Sequence, residues 1–222
     1  MEFKNTEVFN FNGAIRGMRN PMNSWSKSDS CWSYNYLEGE EYIYTIGEND
    51  LNLAQRLIKG GSEHRKFMRQ IMVSVDITAP LYWWKEFDTY KVGTTANSTS
   101  TMHKLTSQPI TLDCFEIDDY NKESVNSVCG YNKFSIEYDL ISFLERLRLT
   151  YLETKDKRYW KELIRWLPES WLQTRTVTMN YENLRNMYFQ RRNHKLTEWS
   201  DSFIEWVESL PYAKELIMYT GE

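Results

Sequence analysis

The spacing of apolar residues changes partway along this chain and predicts strands in the first half and helices in the second. Phe3 to Phe11 alternate loosely with polar residues, and Ile71 to Ile77 alternate strictly and include β-branched residues, so both segments predict strands. Between them, Asp50 is a candidate helix N-cap, apolar residues follow it at helical spacing, and Gly60-Gly61 predicts the helix end.

Proline and clusters of small polar residues divide the rest of the first half. Pro80 suits the first position of a helix, which we predict over Leu81 to Phe87. Polar loops are predicted over Asn23 to Ser33 and over Gly93 to Ser100. Thr111 to Ile117 predicts a short strand or a sheet edge within an otherwise irregular region.

From Ser135 onward the apolar residues recur at helical spacing, which predicts a helix that reaches Tyr151. Further helices are predicted over Asp156–Trp166, Asn183–Arg192 and Thr197–Leu210, with a short last helix from Pro211. No low-complexity linker or repeat interrupts the sequence, so we predict a single α+β domain over residues 1–222.

Composition narrows the class of protein. The chain has 222 residues, of which 41% are hydrophobic and 15% aromatic, and this argues against disorder. The net charge of -4 lacks the basic excess of a duplex-DNA binder, although a local pocket for one phosphate stays possible. No signal peptide and no apolar run near the roughly 20 residues of a membrane span is found, so we predict a cytoplasmic protein.

Familiar catalytic and metal-binding motifs do not occur in the sequence. Cys31, Cys114 and Cys129 form no CxxC pair and are predicted to be reduced thiols. Three histidines are present, and because none is spaced like a metal pair we predict no metal site. A nucleophile elbow, a P-loop and a GxGxxG turn are also missing.

Two segments are candidates for binding chemistry. Tyr90 to His103 is rich in hydroxyl and small residues, which let backbone N–H groups approach an anion; the alternative is a plain polar surface loop. Asn180 to Lys195 places amides and cations at i, i+3 and i+4 steps, which suits a phosphate and a heterocycle edge; the alternative is a solvated helix face.

In this order along most of the chain, the segments resemble the flavin-dependent thymidylate synthases. The family signature RHRxxSxNxxSxRY is replaced here by YKVGTTANSTSTMH. Without gaps, Thr95, Asn97 and Ser100 fall on the signature Ser, Asn and Ser. With one inserted residue, Lys91 falls on the last Arg of RHR and Thr94 on the first Ser.

The C-terminal block LPESWLQTRTVTMNYENLRNMYFQRRNHK resembles the family's second conserved region. The residues that keep the family's spacing are Leu167-Pro168, Asn180, Leu184, Asn186 and Arg191. The chain also departs from the family, because Glu182 stands in place of an Arg and Lys195 in place of a His. Met102-His103 replaces the signature Arg-Tyr.

The resemblance implies a fold with a central, mostly antiparallel sheet flanked by helices, and a homotetramer that binds FAD and dUMP. It implies that methylenetetrahydrofolate and NADPH are co-substrates and that dTMP is the product. The resemblance implies that Arg191 and Ser100 are catalytic. It implies that the substrate is bound by Glu86, Ser98, Ser100 and Arg191. The implied cofactor-binding residues are His64, Lys91, Thr94, Asn97, Asn180, Asn186 and Lys195.

Two other functions stay open from the sequence. Glu86 replaces a family Gln that would touch the nucleotide, and a carboxylate repels a phosphate, so the chain could bind another pyrimidine or have lost catalysis. Alternatively, the nine Trp residues could form an interaction surface, because Trp is enriched in interface hot spots.

Overall fold

The structure is a computed structural model that describes residues 1–35, 41–118, 120–121, 123, 125 and 135–221. Cys129 therefore lies outside the described residues, whereas Cys31 and Cys114 are free thiols.

In the described residues, six strands form two sheets. They are β1 (Glu2–Phe9), β2 (Cys31–Asn35), β3 (Glu41–Thr45), β4 (Met72–Pro80), β5 (Thr95–Ser98) and β6 (Leu172–Asn180). The central sheet has the order β1-β4-β6-β5, and β2 pairs with β3 as an antiparallel hairpin in which Trp32 lies opposite Tyr44. The fold is α+β with a central antiparallel sheet, as the sequence predicted.

Several α-helices lie within the described residues. They are α1 (Phe11–Met18), α2 (Glu48–Lys59), α3 (Leu81–Phe87), α4 (Thr101–Lys104), α5 (Ser142–Thr154), α6 (Lys157–Arg165), α7 (Tyr181–Arg191) and α8 (Ile204–Glu208). Single π-helical segments cover Ile136–Ile141, Glu198–Phe203 and Ala213–Ile217, and short 3₁₀ turns cover Asn20–Met22, Trp25–Lys27, Lys66–Gln70 and Leu112–Cys114.

Several predicted elements are present in the structure. Buried and partly buried residues alternate along β4, as predicted, and α3 begins at Leu81 with Pro80 as its N-cap instead of its first residue. The Asp156 side chain accepts a hydrogen bond from the Arg158 N–H group and caps α6. Asn180 and Asn183 form a reciprocal capping box at the start of α7.

Other predictions were wrong in detail. The polar loop predicted over Gly93 to Ser100 contains strand β5, because an exposed edge strand needs no apolar face. The loop predicted over Asn23 to Ser33 ends within β2. Thr111 to Ile117 contains a 3₁₀ turn instead of a strand, and only Phe115 makes an isolated bridge, to Trp171.

Asp50 is not the N-cap of α2. The helix begins two residues earlier, and Asp29 accepts hydrogen bonds from the N–H groups of Asn49 and Asp50 at 2.9 and 3.1 Å. The fully buried Asp50 carboxylate instead accepts from Arg19 Nε at 2.5 Å and from the Ser28 and Ser30 hydroxyls at 2.6 Å each. Burial acts to raise the pKa of Asp50, but these hydrogen bonds outweigh it and hold the pKa below its usual value.

The described residues group into two compact units, and the predicted single-domain organisation stays a prediction. The first unit contains Met1, Ile77–Thr89 and Asn97–Arg175, and the second contains Glu2–Asp76, Tyr90–Ala96 and Thr176–Glu222. One cluster in the core of the first unit consists of Leu105, Ile110, Phe115, Ile141, Leu144 and Leu163. Fully buried members of the second unit include Ile15, Met68, Ile71, Tyr181, Trp199 and Phe203.

Candidate functional site

The first turn of α7 holds the loop that precedes β5. Asn183 Nδ2 donates a hydrogen bond to the Val92 carbonyl at 2.7 Å. The next residue, Gly93, has a φ of +80°, and a Cβ atom there would lie 2.9 Å from Asn183 Oδ1. Glycine is therefore required at this contact, for both its backbone conformation and its lack of a side chain.

The same loop is closed by its own polar groups. The Thr94 hydroxyl donates to the Tyr90 carbonyl. The Tyr90 hydroxyl donates to Gln190 Oε1 at 2.9 Å, near the end of α7. The predicted cofactor residue Thr94 thus shapes the loop, and Lys91 lies exposed on it.

Arg191 is held in one orientation by two aromatic rings. Its Nε atom donates to the Tyr90 hydroxyl at 2.7 Å. The guanidinium carbon lies 4.7 Å from the centroid of Trp199 and 5.4 Å from that of Tyr90. Cation–π contacts and a directed hydrogen bond stabilise a guanidinium in a fixed plane, which suits recognition of a planar or anionic group.

Two exposed lysines are close in sequence to this cluster of Tyr90, Arg191 and Trp199. Lys91 follows Tyr90 in sequence, and Lys195 follows His194, whose ring centroid lies 6.4 Å from that of Trp199. Both lysines are exposed, and in the described part of the chain no acidic side chain pairs with either one. This part of the second unit is therefore suited to bind an anion.

His64 lies beside a cavity of about 500 Å³ in the second unit. Apolar lining residues are Met18, Pro21, Met22, Leu53, Leu57 and Phe67, and polar ones include Asn20, Ser24, Lys66 and Gln70. This volume and this mixture of apolar walls with a few polar groups are typical of small-molecule pockets.

The predicted site residues divide between the two units. His64, Lys91, Thr94, Asn180, Asn186, Arg191 and Lys195 belong to the second unit, and Glu86, Asn97, Ser98 and Ser100 to the first. Contacts of the described residues join Asn180 and Arg191 to the loop over residues 90–94. Asn186 is exposed on α7.

In the first unit, Asn97 and Ser98 are exposed on β5, and Glu86 is half-buried on α3. The Ser100 hydroxyl accepts a hydrogen bond from the His103 N–H group at 3.2 Å and caps α4. The same hydroxyl keeps its own proton for donation, because accepting this bond uses only an oxygen lone pair.

Some residues of the candidate site were not found from the sequence. Trp199 lies in a predicted helix with nothing to mark it, and its contact with Arg191 depends on the fold. Among the described residues, no group of His, Cys, Asp and Glu side chains could hold a metal ion, and no helix has the length and apolar character of a membrane span.

Comparison with known proteins supports the fold. No family model matches the sequence, and no curated protein matches it. The structure is similar to that of the flavin-dependent thymidylate synthase ThyX from Helicobacter pylori complexed with FAD and dUMP, with a TM-score of 0.65, 17% identity, and coverage of 99% of this chain and 98% of that one. A second structure of the same enzyme with FAD and dUMP gives a TM-score of 0.64 and full coverage of both chains, also at 17% identity.

Proposed function

We propose that this chain is an FAD-dependent methyltransferase that converts dUMP to dTMP with methylenetetrahydrofolate and NADPH. The observation that carries the proposal is Arg191, which keeps the family's spacing and is oriented by Tyr90 and Trp199. The likeness of fold to proteins crystallised with FAD and dUMP supports the same function. We extend the proposal to a homotetramer, as the resemblance implies, and to a cytoplasmic location with one domain per chain, as the sequence pattern predicts.

The polar groups of the second unit fit a flavin dinucleotide. The two exposed lysines, Lys91 and Lys195, supply charge for a diphosphate, and the amide of Asn186 offers hydrogen bonds to a heterocycle edge. The cavity beside His64 offers apolar walls. The resemblance further implies Thr94, Asn97 and Asn180 as residues that would contact the cofactor. When bound, a flavin supplies the hydride that reduces the transferred one-carbon unit to a methyl group.

The side chains of this chain would bind and polarise the uridylate. Arg191 would contact the pyrimidine and stabilise negative charge that develops on the ring, as a preorganised donor does. Ser100 would donate to the nucleotide phosphate or sugar, with Ser98 nearby on β5. Glu86 would face the nucleotide, where a carboxylate weakens phosphate binding unless a cation pairs with it.

The proposed activity is tested by turnover. Protein reconstituted with FAD is incubated with dUMP, methylenetetrahydrofolate and NADPH, and dTMP is measured by chromatography. We expect dTMP to form only when all three substrates are present. FAD-loaded protein that makes no dTMP would contradict the methyltransferase function. Stabilisation of such protein by another pyrimidine nucleotide would favour the second candidate function, since a ligand bound only to the folded state raises its stability.

Tyr90→Phe should weaken dUMP binding only modestly. The substitution removes the hydroxyl that accepts from Arg191 and donates to Gln190, but it keeps the ring that packs on the guanidinium. The hydroxyl only orients Arg191, so we expect the loss of part of the roughly 1.5 to 3 kcal/mol that a hydrogen bond to a charged group contributes, and a rise of about fivefold in the Kd for dUMP. Isothermal titration calorimetry measures this change, and a loss of binding as large as that in Arg191→Ala would contradict the orienting role.

A further inference from the structure

An ion pair joins the turn that carries His64 to the first turn of α7. Arg65 Nε donates to both carboxylate oxygens of Glu182, at distances of 3.0 and 2.9 Å. The side chains are 18% and 8% exposed, respectively, so the pair is largely removed from water. Its attraction is therefore stronger than that of a surface pair, and the Arg65 guanidinium is fixed relative to α7.

The manner of this pairing leaves one edge of the Arg65 guanidinium available. Glu182 takes only the Nε proton, and no described residue accepts a hydrogen bond from either Nη group. Neither Nη atom is among the buried polar atoms without a partner, so both stay accessible to solvent or to a ligand. Two coplanar N–H donors match two oxygens of a phosphate group.

Arg185 adds a second positive charge close to Glu182, one turn further along α7. Its Nη1 atom donates to the carbonyls of Ile217 and Tyr219 at 2.6 and 2.7 Å. Burial, and after it the charge of Arg65, lower the pKa of Arg185, whereas Glu182 acts to raise it. One carboxylate therefore faces two neighbouring cations, and an anion that binds here would neutralise the remaining charge.

We propose that Arg65 binds a phosphate group of the ligand through its Nη groups, and that Glu182 positions Arg65 for this contact. The inference rests on the proposed function and deepens it, because it names a cation in a turn where the sequence singled out only His64. The family that this chain resembles has an Arg in place of Glu182. In this chain the positive charge next to that position is carried by Arg65, the partner of Glu182 in the ion pair. The phosphate belongs to the flavin dinucleotide or to the pyrimidine nucleotide.

The test removes both charges of the pair together. Arg65→Gln alone would leave the buried Glu182 carboxylate without the cation that donates hydrogen bonds to it, whereas the double variant Arg65→Gln/Glu182→Gln leaves two neutral amides of similar size. Arg69→Gln is the matched control, since Arg69 is an exposed cation of the same turn. Thermal unfolding of each variant shows that it is folded. Dissociation constants are then measured for FAD, riboflavin, dUMP, deoxyuridine and inorganic pyrophosphate.

We expect the double variant to lose about 10- to 100-fold in affinity for FAD or for dUMP, and to bind riboflavin and deoxyuridine like the unmodified protein. Loss for FAD alone assigns the diphosphate, and loss for dUMP alone assigns the nucleotide phosphate. Unchanged affinity for every phosphate compound would overturn the inference. If the unmodified protein binds pyrophosphate through Arg65 but neither FAD nor dUMP, the proposed function fails and the phosphate site stands.

Discussion

Arg191→Ala should abolish measurable dUMP binding and leave the fold intact. Arg191 is the guanidinium that Tyr90 and Trp199 hold in a fixed plane, and a charged hydrogen-bonding group at a ligand typically accounts for a large part of its affinity. We expect the Kd for dUMP, measured by calorimetry, to rise by at least about 100-fold. The unfolding midpoint should change little, because Arg191 is only half-buried.

Two variants separate the charge of Arg191 from its shape. Arg191→Lys keeps the positive charge but loses the planar fork of donors, so we expect an affinity between those of the unmodified protein and Arg191→Ala. Arg192→Ala removes the adjacent exposed cation, which packs on Phe189, and should leave the affinity for dUMP unchanged. An unchanged Kd in Arg191→Ala would remove Arg191 from the site.

Asp50→Asn should cause the largest loss of stability among single substitutions at a charged residue. The substitution leaves the buried Arg19 guanidinium without its counter-charge and weakens the hydrogen bonds from Ser28 and Ser30. Breaking one partner of a buried pair typically costs about 3 to 5 kcal/mol. For a chain of this size, that loss lowers the thermal midpoint by roughly 10 °C. Glu48→Gln, at the exposed first residue of the same helix, is the control and should lower the midpoint by only about 1 to 4 °C, because an acidic side chain at a helix N-terminus contributes about 0.3 to 1 kcal/mol.

The lowered pKa of Asp50 should also make the free energy of unfolding depend on pH. Its pKa in the folded protein is held below the usual value, so the unfolded chain takes up a proton first as the pH falls. The contribution of Asp50 to stability is therefore complete well above pH 4, and it is lost as the pH falls below about 4 toward the folded pKa. Denaturant unfolding at several pH values should show that Asp50→Asn flattens this acid loss. An identical pH dependence in the variant would contradict the role of the network.

Elements with a strong local signal were predictable from the sequence. The alternation of β4, the position of Pro80 before α3 and the capping Asp156 each act within a few residues, so the sequence contains the whole cause. Strand β6 was missed although Thr residues alternate along it, and α1 was missed although Phe11, Ala14, Ile15 and Met18 line one buried face. The glycines within α1 lower its helical propensity and concealed this spacing.

The parts of the site that depend on distant residues were not predictable. The ion pair between Arg65 and Glu182 could not be predicted, because the two residues are 117 positions apart along the chain. The sequence shows only that Glu182 stands where the family has an Arg. The same holds for Tyr90 and Arg191, which meet across 101 residues. The prediction of β2 and β3 failed for a different reason. Their alternating Trp and Tyr residues favour strands, but the Ser residues in and before β2 favour a loop.

The absorbance spectrum of the protein shows whether it retains a flavin and whether dUMP binds beside it. The protein is loaded with FAD, freed of excess FAD, and scanned before and after addition of dUMP. We expect that a flavin band is retained and that dUMP changes the band saturably, because we propose that both ligands occupy one site. Absence of any retained flavin, or a retained flavin band that dUMP leaves unchanged, would contradict the claim that this chain is a flavin-dependent uridylate methyltransferase.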